Sequence, residues 1–85
     1  MHEVVRFERS ALGAGRQEVT LGFGKGKDIG AGGAGLTTET ILRQGEILKL
    51  HIPILANSGT VPVFSEVRWI QDVPEGCKAG LRFLV

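Results

Sequence analysis

The sequence has a single cysteine, Cys77, so no internal disulfide can form. Cys77 reads as a small loop or core residue. There are only two histidines, His2 and His51, and neither sits in a cluster with metal-ligand spacing, which argues against a zinc site. His51 lies within an Ile/Leu stretch and reads as a strand-face residue with a satisfied hydrogen bond. The start, Met1 to Arg9, is charged and has no long apolar run. It has the marks of neither a secretory signal nor a membrane span, so a cytoplasmic setting without membrane insertion is the expectation. No nucleophile elbow is present, and no acid, base and nucleophile set can be assigned from spacing, so catalysis is not expected. Charge of one sign is also scarce. The formal net charge is +1, which gives no broad field to attract a nucleic acid polymer.

What is abundant is glycine. Nine of the thirteen glycines fall between Gly13 and Gly35. Such a stretch cannot be a helix, because each interior glycine costs about 1 kcal/mol relative to alanine. Within it, Glu18 to Phe23 alternates polar and apolar residues, which predicts a half-buried strand with Val19, Leu21 and Phe23 inward. Gly24-Lys25-Gly26 reads as a turn, Lys27-Asp28-Ile29 as the end of a further strand, and Gly30 to Gly35 as a tight loop. Thr38 to Gln44 is the one stretch with helix-forming character, ended by Gly45.

Glu46 to Leu55 is rich in Ile and Leu and predicts a long strand, with Pro53 marking an edge or bulge. Ala56 to Thr60 has the composition of a hairpin loop. Val61 to Gln71 predicts the next strand, with Val63, Val67 and Trp69 on one face. Asp72 to Gly76 turns the chain, and Leu81 to Val85 is the last strand. Trp69 and Phe83 are most simply core aromatics. Five or six short strands with scarcely any helix predict one small all-β domain, an antiparallel barrel or sandwich. An 85-residue chain buries only a thin core, which leaves a homo-oligomer open.

Charge is uneven along the chain. Residues 1–27 carry Arg6, Arg9, Arg16, Lys25 and Lys27 against Glu3, Glu8 and Glu18, while the remainder carries five basic and six acidic side chains. The N-terminal third could meet a small anion, or could simply be a solvated face. Gly30-Ala31-Gly32-Gly33-Ala34-Gly35 formally matches a dinucleotide-binding glycine pattern, but the βαβ context that such a site needs is missing.

Asp28 to Leu36 resembles the D/N-x-S-x-x-G signature of PilZ domains, bacterial β-barrel receptors for the second messenger cyclic di-GMP. The resemblance continues through Gly45-Glu46-Ile47-Leu48-Lys49-Leu50, Val67-Arg68-Trp69 and Gly80-Leu81-Arg82-Phe83. The family's other signature, R-x-x-x-R, falls near Val5 to Arg9. Arg9 matches the second arginine, Val5 stands where the first would be, and Arg6 is one residue late. Gly30 replaces the signature serine, while Asp28 and Gly33 are kept. The resemblance implies an all-β fold, a six-stranded antiparallel barrel over residues 17–85 preceded by an N-terminal arm, residues 1–16. It implies a non-enzymatic signalling domain that binds cyclic di-GMP and passes the signal to a protein partner. Arg6 and Arg9 would meet phosphate or guanine, Asp28 a guanine edge, and Gly30 and Gly33 would offer loop backbone. Two alternatives stand beside it. One is a degenerate adaptor that binds a protein and no nucleotide. The other is that Asp28 caps its own turn and the glycines serve only backbone geometry.

Overall fold

The computed structural model describes residues 3–13, 15–54 and 59–84, with side chains described except at 11–13. Six antiparallel strands make up the fold: β1 (Glu3–Gly13), β2 (Arg16–Lys27), β3 (Gly33–Thr38), β4 (Ile47–Pro53), β5 (Thr60–Val73) and β6 (Gly76–Phe83). They close in the order β1-β2-β3-β6-β5-β4. The all-β barrel expected from the sequence is therefore the observed fold. No helix occurs among the described residues, and none is long and apolar enough to cross a membrane.

The core follows from period-2 alternation. Val5 and Phe7 of β1, Leu36 of β3, Leu48 and Leu50 of β4, Val67 of β5, and Ala79 and Leu81 of β6 point inward and are buried. On β2 the inward positions belong to glycine. Gly22 faces the Phe7 ring so closely that a Cβ there would overlap it, and a Cβ on Gly26 would lie 2.8 Å from Val5 Cγ2. Phe7, Val5 and Leu36 thus fill space that side chains on β2 would otherwise take. This reverses the expected facing of the strand. Val19, Leu21 and Phe23 are outward, at 56, 61 and 62% exposure. It also removes the turn expected at Gly24 to Gly26, since β2 runs unbroken to Lys27.

Other expectations change as well. The segment read as an arm, residues 1–16, contains β1, a barrel strand paired with both β2 and β4. Val5, aligned with the family's first arginine, is core and only 2% exposed. The predicted helix at Thr38 to Gln44 is the end of β3 followed by an irregular connection. There the Thr38 hydroxyl donates to Phe23 O and accepts from Thr40 N–H, at 2.7 and 3.2 Å. Leu42 is buried in the core, and Gly45 N–H donates to Val67 O at 2.7 Å. Gly45 has φ 86°, a conformation that suits glycine. Tertiary bonding therefore captures the groups that a short helix would use. Pro53 ends β4, and the expected Ala56–Thr60 loop lies largely outside the described residues, although Thr60 opens β5 opposite Pro53.

Candidate functional site

The residues expected to share one site are not brought together. The last shared rung of β1 and β2 near Asp28 is Glu3↔Gly26, with Arg6 opposite Phe23 and Arg9 opposite Thr20. At about 3.3 Å per residue, Arg6 and Arg9 lie roughly 10 and 20 Å along the strand from that rung. Arg9 is also engaged. Its Nε and Nη2 donate to the two carboxylate oxygens of Glu46 at 2.6 and 2.9 Å, and Nη1 donates to Ile41 O at 3.1 Å. The Glu46 carboxylate further accepts from Arg43 N–H at 3.1 Å. Arg9 clamps the β3–β4 connection to β1. Arg6 is exposed beside His51, whose Nε2 is 2.6 Å from Glu8 Oε2. That contact holds the Glu8 carboxyl below its ordinary value, with smaller electrostatic help from Lys49, His51 and Arg6 against some desolvation.

The glycines of the loop also have structural duties. A Cβ on Gly33 would run into the Leu81 carbonyl, so β3 and β6 can pair there only with glycine. Gly30 donates its N–H to Gly33 O at 3.0 Å, and Gly32 O accepts from Phe83 N–H at 2.9 Å. The Gly30 N–H expected to face a ligand is therefore in use. A Cβ on Gly30 meets nothing within 4 Å, and its backbone is not in the left-handed region, so the position is open to a serine. Asp28 adopts φ 54°, which aspartate tolerates better than most residues, and its side chain stays exposed.

What does converge lies on the outer face of β2, β3, β5 and β6. A groove of about 430 Å³ is lined by Lys27, Asp28, Gly35, Arg68, Trp69 and Lys78, among others. Its size falls in the range of about 300–1,000 Å³ usual for small-molecule sites. A register shift between Val67 and Trp69 makes this surface. In a regular strand, neighbours point to opposite faces, so one of Arg68 and Trp69 would turn inward. The bulge leaves Val67 buried and both Arg68 and Trp69 exposed. Trp69 was expected in the core, yet it is 47% exposed. Its indole lies on Gly80, where a Cβ would overlap the ring. The bare backbone of β6 is the floor that lets the indole lie along the barrel.

Three cations and one carboxylate surround this aromatic platform. Arg68 Nη1 contacts Glu66 Oε1 at 3.1 Å, an exposed pair that leaves other guanidinium donors for a ligand. Asp28 and Gly33, expected from the sequence at a ligand, line this groove, together with Lys27, Arg68, Trp69 and Lys78, which were not expected there. The available signal was Arg68 adjacent to Trp69 in a strand whose register Gly80 allows to slip.

This groove, with its cations around Trp69, sits on the barrel expected from the resemblance. No curated protein and no solved structure matches the chain. A model of the PilZ domain matches residues 4–85, and the members of that family are binding and adaptor domains, generally receptors for cyclic di-GMP. The chain belongs to the PilZ domain family.

Proposed function

We infer that this domain binds cyclic di-GMP in the Trp69 groove and hands the signal to a protein partner without catalysing a reaction. The observation that carries this reading is the β5 bulge, which turns Arg68 and Trp69 outward together beside Lys27, Lys78 and Asp28. The indole is a stacking platform for a guanine base, a contact worth about 1–3 kcal/mol per base. Lys27, Lys78 and Arg68 supply positive charge for the two phosphates, and Arg68 can also fork onto guanine O6 and N7. The Asp28 carboxylate suits the N–H donors of guanine's other edge. Arg9 is assigned to the Glu46 clamp and Arg6 to the β1–β4 face, so neither is needed at the ligand. Gly33 acts by letting β3 approach β6.

Calorimetric titration with cyclic di-GMP tests this reading. Trp69→Ala and Arg68→Ala should each weaken binding by about tenfold or more, and Arg6→Ala should leave it unchanged. An equal loss on Arg6→Ala, with none on Trp69→Ala, would return the site to β1. A second reading, a protein-binding adaptor without nucleotide affinity, is favoured by the engagement of Arg9 with Glu46 and by the missing serine hydroxyl at Gly30. No heat with the unaltered chain would select it.

A further inference from the structure

We propose that the free edge of β2 and the apolar groove at its barrel end form a docking site for an extended, basic segment of a partner protein. This site adjoins the nucleotide groove, with which it shares Thr37, but its other lining residues differ. β2 has β1 along one edge from Arg16 to Gly26, but its other edge pairs with β3 only from Gly24 to Lys27. At Phe23 the carbonyl bonds to the Thr38 hydroxyl, and β3 then turns away. From Arg16 to Gly22 one edge of β2 therefore has no strand beside it among the described residues. Such an edge is a template for an added strand.

Side chains point to the same use. Val19, Leu21 and Phe23 form an outward row, each more than half exposed, and Val4 is 69% exposed. Where the open edge meets the barrel there is a groove of about 480 Å³, lined by Val4, Phe23, Gly24, Thr38, Glu39 and Glu75, among others. An adjoining hollow brings Glu3 to the same rim. Among the described residues the rim of these two hollows carries Glu3, Glu39 and Glu75 against Lys25, with Arg6 beyond it opposite Phe23. An apolar floor with an acidic rim fits a strand that alternates apolar side chains with lysine or arginine. The backbone of that strand would pair with Arg16–Gly22, an apolar residue would pack on Phe23, and its cations would meet Glu39 and Glu75. The opposite charge at Lys27, Arg68 and Lys78 would repel such a segment from the nucleotide groove.

The test uses two capped nonapeptides, one alternating leucine and lysine and one alternating leucine and glutamate, titrated without nucleotide into the isotope-labelled chain while amide resonances are followed. The lysine peptide should shift Arg16 to Phe23, Thr38, Glu39 and Glu75, and the glutamate peptide should not. Phe23→Ser should weaken the lysine peptide by about tenfold or more, the usual effect of truncating an aromatic anchor. The double variant Glu39→Lys with Glu75→Lys should reverse the preference between the peptides. Both sets of positions are exposed, so folding should survive. Equal response to both peptides, no response, or shifts confined to the Trp69 groove would overturn the proposal. A dimer of the chain alone in sedimentation equilibrium, lost on Phe23→Ser, would overturn it in favour of a second copy on this edge.

Discussion

Arg9→Ala distinguishes a structural arginine from a ligand-binding one. The substitution removes two charge-assisted hydrogen bonds to Glu46 and one to Ile41 O. It leaves the Glu46 carboxylate, whose side chain is 15% exposed, with only the Arg43 N–H. Hydrogen bonds to charged groups contribute about 1.5–3 kcal/mol when removed singly, and bonds made by one guanidinium are not additive. Solvent reaches the Arg9 side chain, 24% exposed, which screens part of the attraction. A net loss of about 2 kcal/mol is expected. In a domain of this size each kcal/mol moves the melting temperature by about 4–8 °C, so the midpoint should fall by roughly 8–16 °C. Urea unfolding of the wild type, Arg9→Ala, Glu46→Ala and the double variant gives the coupling, expected at about 1–2 kcal/mol. Cyclic di-GMP affinity, measured below the new melting point, should be unchanged. Full stability combined with lost nucleotide affinity would refute the clamp and restore Arg9 to the ligand.

Among the other predictions, Ser65→Ala should raise stability by about 1 kcal/mol in urea unfolding, because the Ser65 hydroxyl is buried without a hydrogen-bond partner among the described residues. Gly22→Ala should cost about 1–3 kcal/mol, since the added methyl meets the Phe7 ring, whereas Gly30→Ser should change stability by less than about 0.5 kcal/mol. The Glu8 carboxyl is held below its ordinary value chiefly by His51. Its contribution is therefore present above the unfolded-state value and is lost as pH falls through the lower folded-state value. In His51→Ala the Glu8 carboxyl, followed by carbon resonance, should titrate closer to its ordinary value, and the acid limb of stability should flatten. An unchanged Glu8 titration would remove His51 as the cause.

The barrel was legible because the Ile/Leu-rich stretch Glu46 to Leu55, the stretch Val61 to Gln71 and the C-terminal Leu81 to Val85 are divided by turn-forming residues, whereas β1, with Val5 and Phe7 inward, lies in the segment expected to be an arm. Facing on β2 was not legible. Alternation at Val19, Leu21 and Phe23 has two solutions, and the inward one is already filled by Phe7, Val5 and Leu36 reaching across Gly22, Gly24 and Gly26. Local pattern carries no information about a ring that arrives from a neighbouring strand. The same holds for Thr38 to Gln44, where helix-forming residues lose to bonds with β2 and β5. Asp28 and Gly33 could be read from their motif. Trp69 could not, because its outward position depends on a bulge set by the partner strand β6. Arg9 was visible as a cation, but its partner Glu46 lies 37 residues away in sequence and becomes a neighbour only through β1–β4 pairing.

Trp69 is the only tryptophan in the chain, so its fluorescence reports directly on the proposed site. Cyclic di-GMP titrated into the unaltered domain should change that fluorescence saturably as guanine stacks on the half-exposed indole. The midpoint should agree with calorimetry, and Arg68→Ala should shift it to higher nucleotide concentration. Calorimetric saturation with unchanged Trp69 fluorescence would place the nucleotide elsewhere on the barrel and contradict the account.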